Sequence, residues 1–262
     1  MTEIAVNGAR INYDEYGSGH PLILVHGLGG NGTDTWKHLI APLSEDFRVL
    51  ACDLRGSGRS EVTQGPYSIE QLTDDVAALA NAIGLERVSV MGHSLGGGIS
   101  LLFAATRPEQ IAAIVGVGAV AELSEQGKAN MAARAETVEA EGMADVAVTV
   151  ATAGLAPSYR AADPEEFQEY ISLLAANEAV GYAAQCRALS AMTAHYLESV
   201  ACPVLLVAGE LDQSSPPSMN HDNAARINGA QIVELADCAH IIPWEKPAEL
   251  LAAARPFLKE HL

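Results

Sequence analysis

The sequence predicts an α/β protein, a doubly wound and mostly parallel sheet with a helical segment set into it. Three observations predict it. Short apolar runs of strand length recur at residues 22–25, 47–52, 87–91, 111–117, 203–208 and 231–235, and strands buried on both faces look like this. Helix-length stretches separate them, an alternation that favours right-handed crossovers and a parallel sheet. From 121 to 196 the rhythm stops: no strand-like run occurs, and the alanine- and glutamate-rich stretches 128–141 and 164–176 favour helix.

Taken in order, residues 5–16 alternate weakly around Asn7-Gly8, which predicts an opening hairpin. The strand at 21–26 follows, then a helix over 36–43 and the strand at 47–52. Ser68 with Gln71 forms a capping-box pattern, after which Leu72, Val76, Leu79 and Ile83 recur at helical spacing up to Gly84. The valine-rich strand at 87–91 runs into a helix over 95–106 that Pro108 stops. Residues 1–120 and 197–262 then make the core, and 121–196 make a helical lid inserted in it, lying over the carboxyl ends of the strands.

A chain of 262 residues, 49% of them hydrophobic, suits one large domain. No stretch reaches the roughly 18 apolar residues of a membrane span, and Met1-Thr2-Glu3 does not start a signal peptide. A cytoplasmic protein is expected. Cys52, Cys186, Cys202 and Cys238 are scattered, without the spacing of a disulfide framework or a zinc site. The formal charge of −18 argues against nucleic acid and anionic membranes as partners. An acidic ligand would need a local arginine.

The chemistry begins at Gly92-His93-Ser94-Leu95-Gly96, where Ser94 sits on the turn from strand to helix. A side chain there is pushed out above the sheet, and the flanking glycines relieve the turn. A serine hydroxyl is a weak nucleophile and needs a base, itself oriented by an acid. Asp212 follows the strand at 203–208 and His240 follows the strand at 231–235, so the order is Ser, Asp, His. Glu122, just past the run 111–119, is the competing acid. Among the other histidines, His93 flanks the nucleophile and His26 braces the turn His26-Gly27-Leu28-Gly29-Gly30, while His221 and His195 lie elsewhere. That glycine-rich turn can aim the Leu28 amide at a developing oxyanion, with Leu95 supplying the second amide.

These motifs, together with Asp53-Leu54-Arg55-Gly56-Ser57-Gly58-Arg59-Ser60, resemble the lidded α/β-hydrolase superfamily over essentially the whole chain. The resemblance implies an eight-stranded sheet and acyl-enzyme chemistry without metal or organic cofactor. Closer similarity points to 3-oxoadipate enol-lactonases. It rests on Phe47-Arg48-Val49-Leu50, the stretch 65–76, Gly181-Tyr182-Ala183-Ala184-Gln185-Cys186-Arg187-Ala188, and Val233-Glu234-Leu235 before Ala239-His240-Ile241. Around Ala153-Gly154-Leu155-Ala156-Pro157-Ser158 the chain lacks the Trp-Phe pair of that group.

The similarity implies a small ester or lactone substrate. Among Arg134, Arg160 and Arg187 in the lid, Arg134 is the expected partner of a substrate carboxylate. Arg55 and Arg59 are expected to bond loop carbonyls. A broad carboxylesterase, a cofactor-free perhydrolase or haloperoxidase, and a non-catalytic small-molecule receptor remain compatible with the same residues. The sequence does not set the oligomeric state.

Overall fold

The structure, a computed structural model, describes residues 2–262. It opens with a hairpin of β1 (Thr2–Val6) and β2 (Ala9–Tyr16), in which Val6 faces Ala9 across the turn. Asn7 and Gly8 both adopt positive φ, 48° and 76°, as a two-residue turn that follows the twist of its strands requires. From β3 (His20–Val25) the chain passes through two single-turn helices, α1 (Gly32–Thr35) and α2 (Ile40–Leu43), to β4 (Phe47–Cys52). The continuous helix expected over 36–43 is not formed. Residues 36–39 are turns, because Pro42 has no N–H to give the His38 carbonyl.

Ser68 caps α3 (Ile69–Ala82), its hydroxyl accepting the Gln71 N–H at 3.1 Å. Then come β5 (Val88–His93), α4 (Leu95–Thr106) and β6 (Ile111–Val117). Between β6 and the next strand lie only helices: α5 (Glu125–Glu141), α6 (Ala144–Gly154), α7 (Pro157–Ala162), α8 (Pro164–Ala175) and α9 (Ala179–Ala191), with a short 3-10 turn after them. The chain returns to the sheet with β7 (Val204–Gly209), α10 (Pro217–Arg226), β8 (Gln231–Leu235), α11 (Ile242–Glu245) and α12 (Pro247–Glu260).

The eight strands form one sheet in the order β1-β2-β4-β3-β5-β6-β7-β8, antiparallel at β1 and β2 and parallel beyond. Successive strand residues point to opposite faces, and here both faces are covered. In β3, Ile23 and Val25 pack with Leu72, Ile99 and Phe103 on one side. Leu22 and Leu24 pack with Trp36, Leu39 and Phe257 on the other. This is why the central strands read as unbroken apolar runs.

Helices α5 to α9 share their core with the sheet domain: Ala147, Ala151, Leu155, Tyr170 and Leu174 cluster with Ile241 and Trp244. Among the described residues no helix is long and apolar enough to cross a membrane, and no group of His, Cys, Asp and Glu is placed to hold a metal ion.

Candidate active site

Ser94 occupies the single residue between β5 and α4. Its φ of 53° and ψ of −115° lie where a side chain is strained, at a cost of about 1–3 kcal/mol. The surroundings hold it there. Its N–H donates to the Val117 carbonyl at 2.9 Å, and its carbonyl accepts from Gly97 and Val120 at 3.0 and 3.1 Å. The turn leaves no room for side chains beside it, since a Cβ on Gly92 would collide with the Gly96 carbonyl and one on Gly96 with the Val25 carbonyl.

The loops after β7 and β8 bring Asp212 and His240 to the same edge of the sheet. Ser94 Oγ lies 2.9 Å from His240 Nε2, and His240 Nδ1 lies 2.8 Å from Asp212 Oδ2. The acceptor-only carboxylate requires the proton on Nδ1, which leaves Nε2 free to accept from Ser94. Asp212 is buried and accepts the N–H groups of Ser214 and Ser215 on its other oxygen, at 2.7 and 2.9 Å. Burial opposes its ionisation, but the His240 charge and these hydrogen bonds outweigh burial and hold the carboxyl well below the usual carboxylate range. For His240 burial disfavours the imidazolium, and the Asp212 carboxylate overcomes that and raises the pKa above its ordinary value.

The neighbouring imidazoles serve the scaffold. His26 Nε2 accepts the Leu54 N–H at 2.9 Å, so its Nδ1–H donates to the Gly27 carbonyl at 2.7 Å and braces the glycine-rich turn. His93 Nε2 donates to the His240 carbonyl at 2.9 Å. Burial and the nearby His240 push its pKa down to about 3, so His93 stays neutral. Glu122 does not reach His240: its oxygens bond Lys128 and the Ala194 N–H. Among the described residues neither the Leu28 nor the Leu95 N–H has an acceptor, and Leu28 lines the same cavity as Ser94. Two free amides beside a nucleophile can hold an oxyanion.

That cavity measures about 300 Å³ and passes between the sheet edge and α5, α6, α8 and α9. Val120, Leu123, Val150 and Leu189 give it apolar walls, while Arg134, Asn130 and Gln213 bring polar groups. Arg134 forms no ion pair among the described residues. It lies in the electrostatic surroundings of His240, Tyr182 and Cys186. The Tyr182 hydroxyl is buried without a hydrogen-bond partner of good geometry, and burial pushes its pKa up to about 12.

The other candidate arginines are committed elsewhere. Arg187 pairs with Glu139 on the surface, and Arg160 stacks on Phe167. Arg55 donates to the Asn7 carbonyl but chiefly grips Asp75 with two bonds of 2.8 Å, and Arg59 pairs with Asp14 and Asp53. The carbonyl-bonding role expected for these two is therefore secondary to carboxylate pairing.

Three residues of the site escaped sequence reasoning. Ser215 Oγ contacts Asp212 Oδ2 at 2.7 Å and the Gly118 carbonyl at 2.8 Å. Asn177 Nδ2 donates to the Gly29 carbonyl at 2.7 Å, tying the glycine-rich turn to the end of α8. Glu245 binds the main chain on both sides of His240. The spacing of Ser215 after Asp212 was a usable signal; for the other two only the tertiary contact reveals the role.

Comparison with known proteins identifies the family. Residues 20–247 match the family model described as alpha/beta hydrolase fold. The chain is 28% identical to 3-oxoadipate enol-lactonase 2 of Acinetobacter baylyi over 98% of its own length and 96% of the relative's. The crystal structure of the enol-lactonase from Burkholderia xenovorans superposes with a TM-score of 0.94 at 29% identity, covering 98% of this chain and all of that one. A thermophilic esterase from Thermogutta terrifontis, solved with malate bound, gives 0.93 at 28% identity, with full coverage of both.

Proposed function

The chain belongs to the α/β-hydrolase fold family and is an ester-bond hydrolase, and from that premise we propose that it opens an enol-lactone of the 3-oxoadipate type through an acyl-enzyme on Ser94. His240 takes the Ser94 proton as Oγ attacks the lactone carbonyl, and the N–H groups of Leu28 and Leu95 hold the oxyanion. Asp212 keeps the imidazole oriented and stabilises the imidazolium. The ring C–O bond then breaks, and its oxygen leaves as an enol protonated by His240. That enol becomes a ketone, which draws the ring opening forward. Water, deprotonated by His240, attacks the acyl group and releases Ser94 and a carboxylic acid. Helices α5 to α9 act as the lid over this chemistry.

The observation that carries the substrate class is Arg134. A cation in the wall of the Ser94 cavity, without a carboxylate of its own, suits a substrate bearing a carboxylate away from the scissile bond. The relatives named enol-lactonase support the same reading. A broader esterase is the second reading, favoured by the apolar walls and by the likeness to the Thermogutta terrifontis esterase. A panel of enol-lactones and simple esters, each with and without a carboxylate, decides between them. A preference for the carboxylated enol-lactone in kcat/KM supports the proposal, and equal turnover of neutral esters overturns it in favour of the esterase.

A further inference from the structure

Glu245 is a buried carboxylate that the proposed chemistry does not use, and its two oxygens straddle His240. Oε2 accepts the Ala239 N–H at 3.0 Å and Oε1 accepts the Ile241 N–H at 3.1 Å. Oε2 also accepts the Ala156 N–H at 2.9 Å, from the turn joining α6 to α7. Two residues earlier in that turn, the Gly154 carbonyl accepts the N–H groups of His240 and Ile241 at 2.9 and 3.1 Å. The segment carrying His240 is therefore tied directly to the inserted helices.

A local explanation exists for part of this pattern. Glu245 lies in the first turn of α11, where a carboxylate reaching back to a free N–H is common. That accounts for Ile241. It does not account for Ala239 before the base or for Ala156 in the inserted helices. Burial raises the Glu245 pKa above its ordinary value, and the three converging N–H donors oppose that by favouring the ionised, acceptor-only form, whose charge reaches His240.

We propose that Glu245 is a positioning residue for His240, fixing the main chain on both sides of it so that the imidazole spans Ser94 and Asp212, and coupling that setting to the α6–α7 turn. The proposal rests on His240 being the base. A small displacement of a base costs far more rate than binding, because proton transfer depends on alignment. The groups facing His240 are Asp212, His93 and Arg134. Those facing Glu245 include Tyr159, Tyr170 and Cys238. A substitution at Glu245 alone leaves each of these side chains chemically unchanged.

The test is Glu245→Gln with p-nitrophenyl acetate as substrate, alongside Glu245→Asp and Ser94→Ala. Glutamine keeps the shape but turns an NH₂ toward a main-chain N–H. It is expected to lower kcat about 10–100-fold with KM changed less than about twofold. Removing an anion that favours the imidazolium should also move the acid limb of kcat/KM to lower pH.

Aspartate keeps the charge but falls short, so kcat should drop while the limb stays. A folded E245Q enzyme with unchanged kcat and unchanged limb, whatever its melting temperature, would mean a structural brace and overturn the proposal. Should E245Q not fold, E245D decides: kcat within about twofold of the parent overturns it. Turnover by S94A would instead bring down the underlying reading of the site, and the Glu245 role with it.

Discussion

Arg134 and Tyr182 meet at the wall of the Ser94 cavity, one bringing a cation without an ion-pair partner and the other a buried hydroxyl without a hydrogen-bond partner of good geometry. An anionic substrate group placed there would give both a charge-assisted partner. Arg134→Gln is expected to raise KM for a carboxylated lactone with little change for a neutral ester. A charged hydrogen bond of about 1.5–3 kcal/mol corresponds to roughly a 10–150-fold loss of kcat/KM. Equal losses on both substrates in steady-state kinetics would remove Arg134 from recognition.

The acid of the site is testable by paired substitutions. Asp212→Asn keeps the shape but misorients the His240 tautomer, and kcat should fall by up to about 10⁴-fold. Glu122→Gln should stay near the parent rate, because Glu122 is occupied with Lys128 and Ala194. The reverse pattern would move the role to Glu122.

The pH dependence follows from the sign of the His240 shift. The active base is neutral, so kcat/KM rises with pH through the pKa of His240 in the free enzyme. Asp212 raises that pKa above the ordinary 6.5 against the opposing effect of burial. The acid limb should therefore have its midpoint above 6.5, and a midpoint at or below that value contradicts the electrostatic account.

Stability should depend on Asp75 far more than on the surface pairs. The Arg55–Asp75 pair is buried, its side chains 3% and 2% exposed, and it fixes the loop after β4. Asp75→Ala leaves the guanidinium uncompensated, at a cost of about 3–5 kcal/mol. Breaking the exposed Arg187–Glu139 pair should leave stability nearly unchanged. Denaturant unfolding of the two variants checks the contrast.

Most of the sheet was legible because its strands are buried on both faces and so form continuous apolar runs, as Leu22 to Val25 show. Ser94 was legible for a related reason: only glycine fits at 92 and 96, and the pentapeptide records that crowding. The helix over 36–43 was misread because one proline outweighed an otherwise helical pattern. Glu245 and Asn177 were invisible because the partners that matter, the Ala156 N–H and the Gly29 carbonyl, are main-chain groups from distant segments, and main chain leaves no trace in side-chain identity. The sequence favours Arg134 over Arg160 and Arg187, and what it could not supply was that Arg187 pairs with Glu139 and Arg160 lies over Phe167.

The central claim is that Ser94 is the nucleophile, and covalent labelling tests it most directly. The protein would be treated with diethyl p-nitrophenyl phosphate, its mass and residual esterase activity followed together, and the modified peptide sequenced. The account predicts a single diethylphosphoryl group on Ser94, with activity lost in proportion to labelling. Full activity after labelling of Ser94, or inactivation with the label on a peptide lacking Ser94, would contradict it.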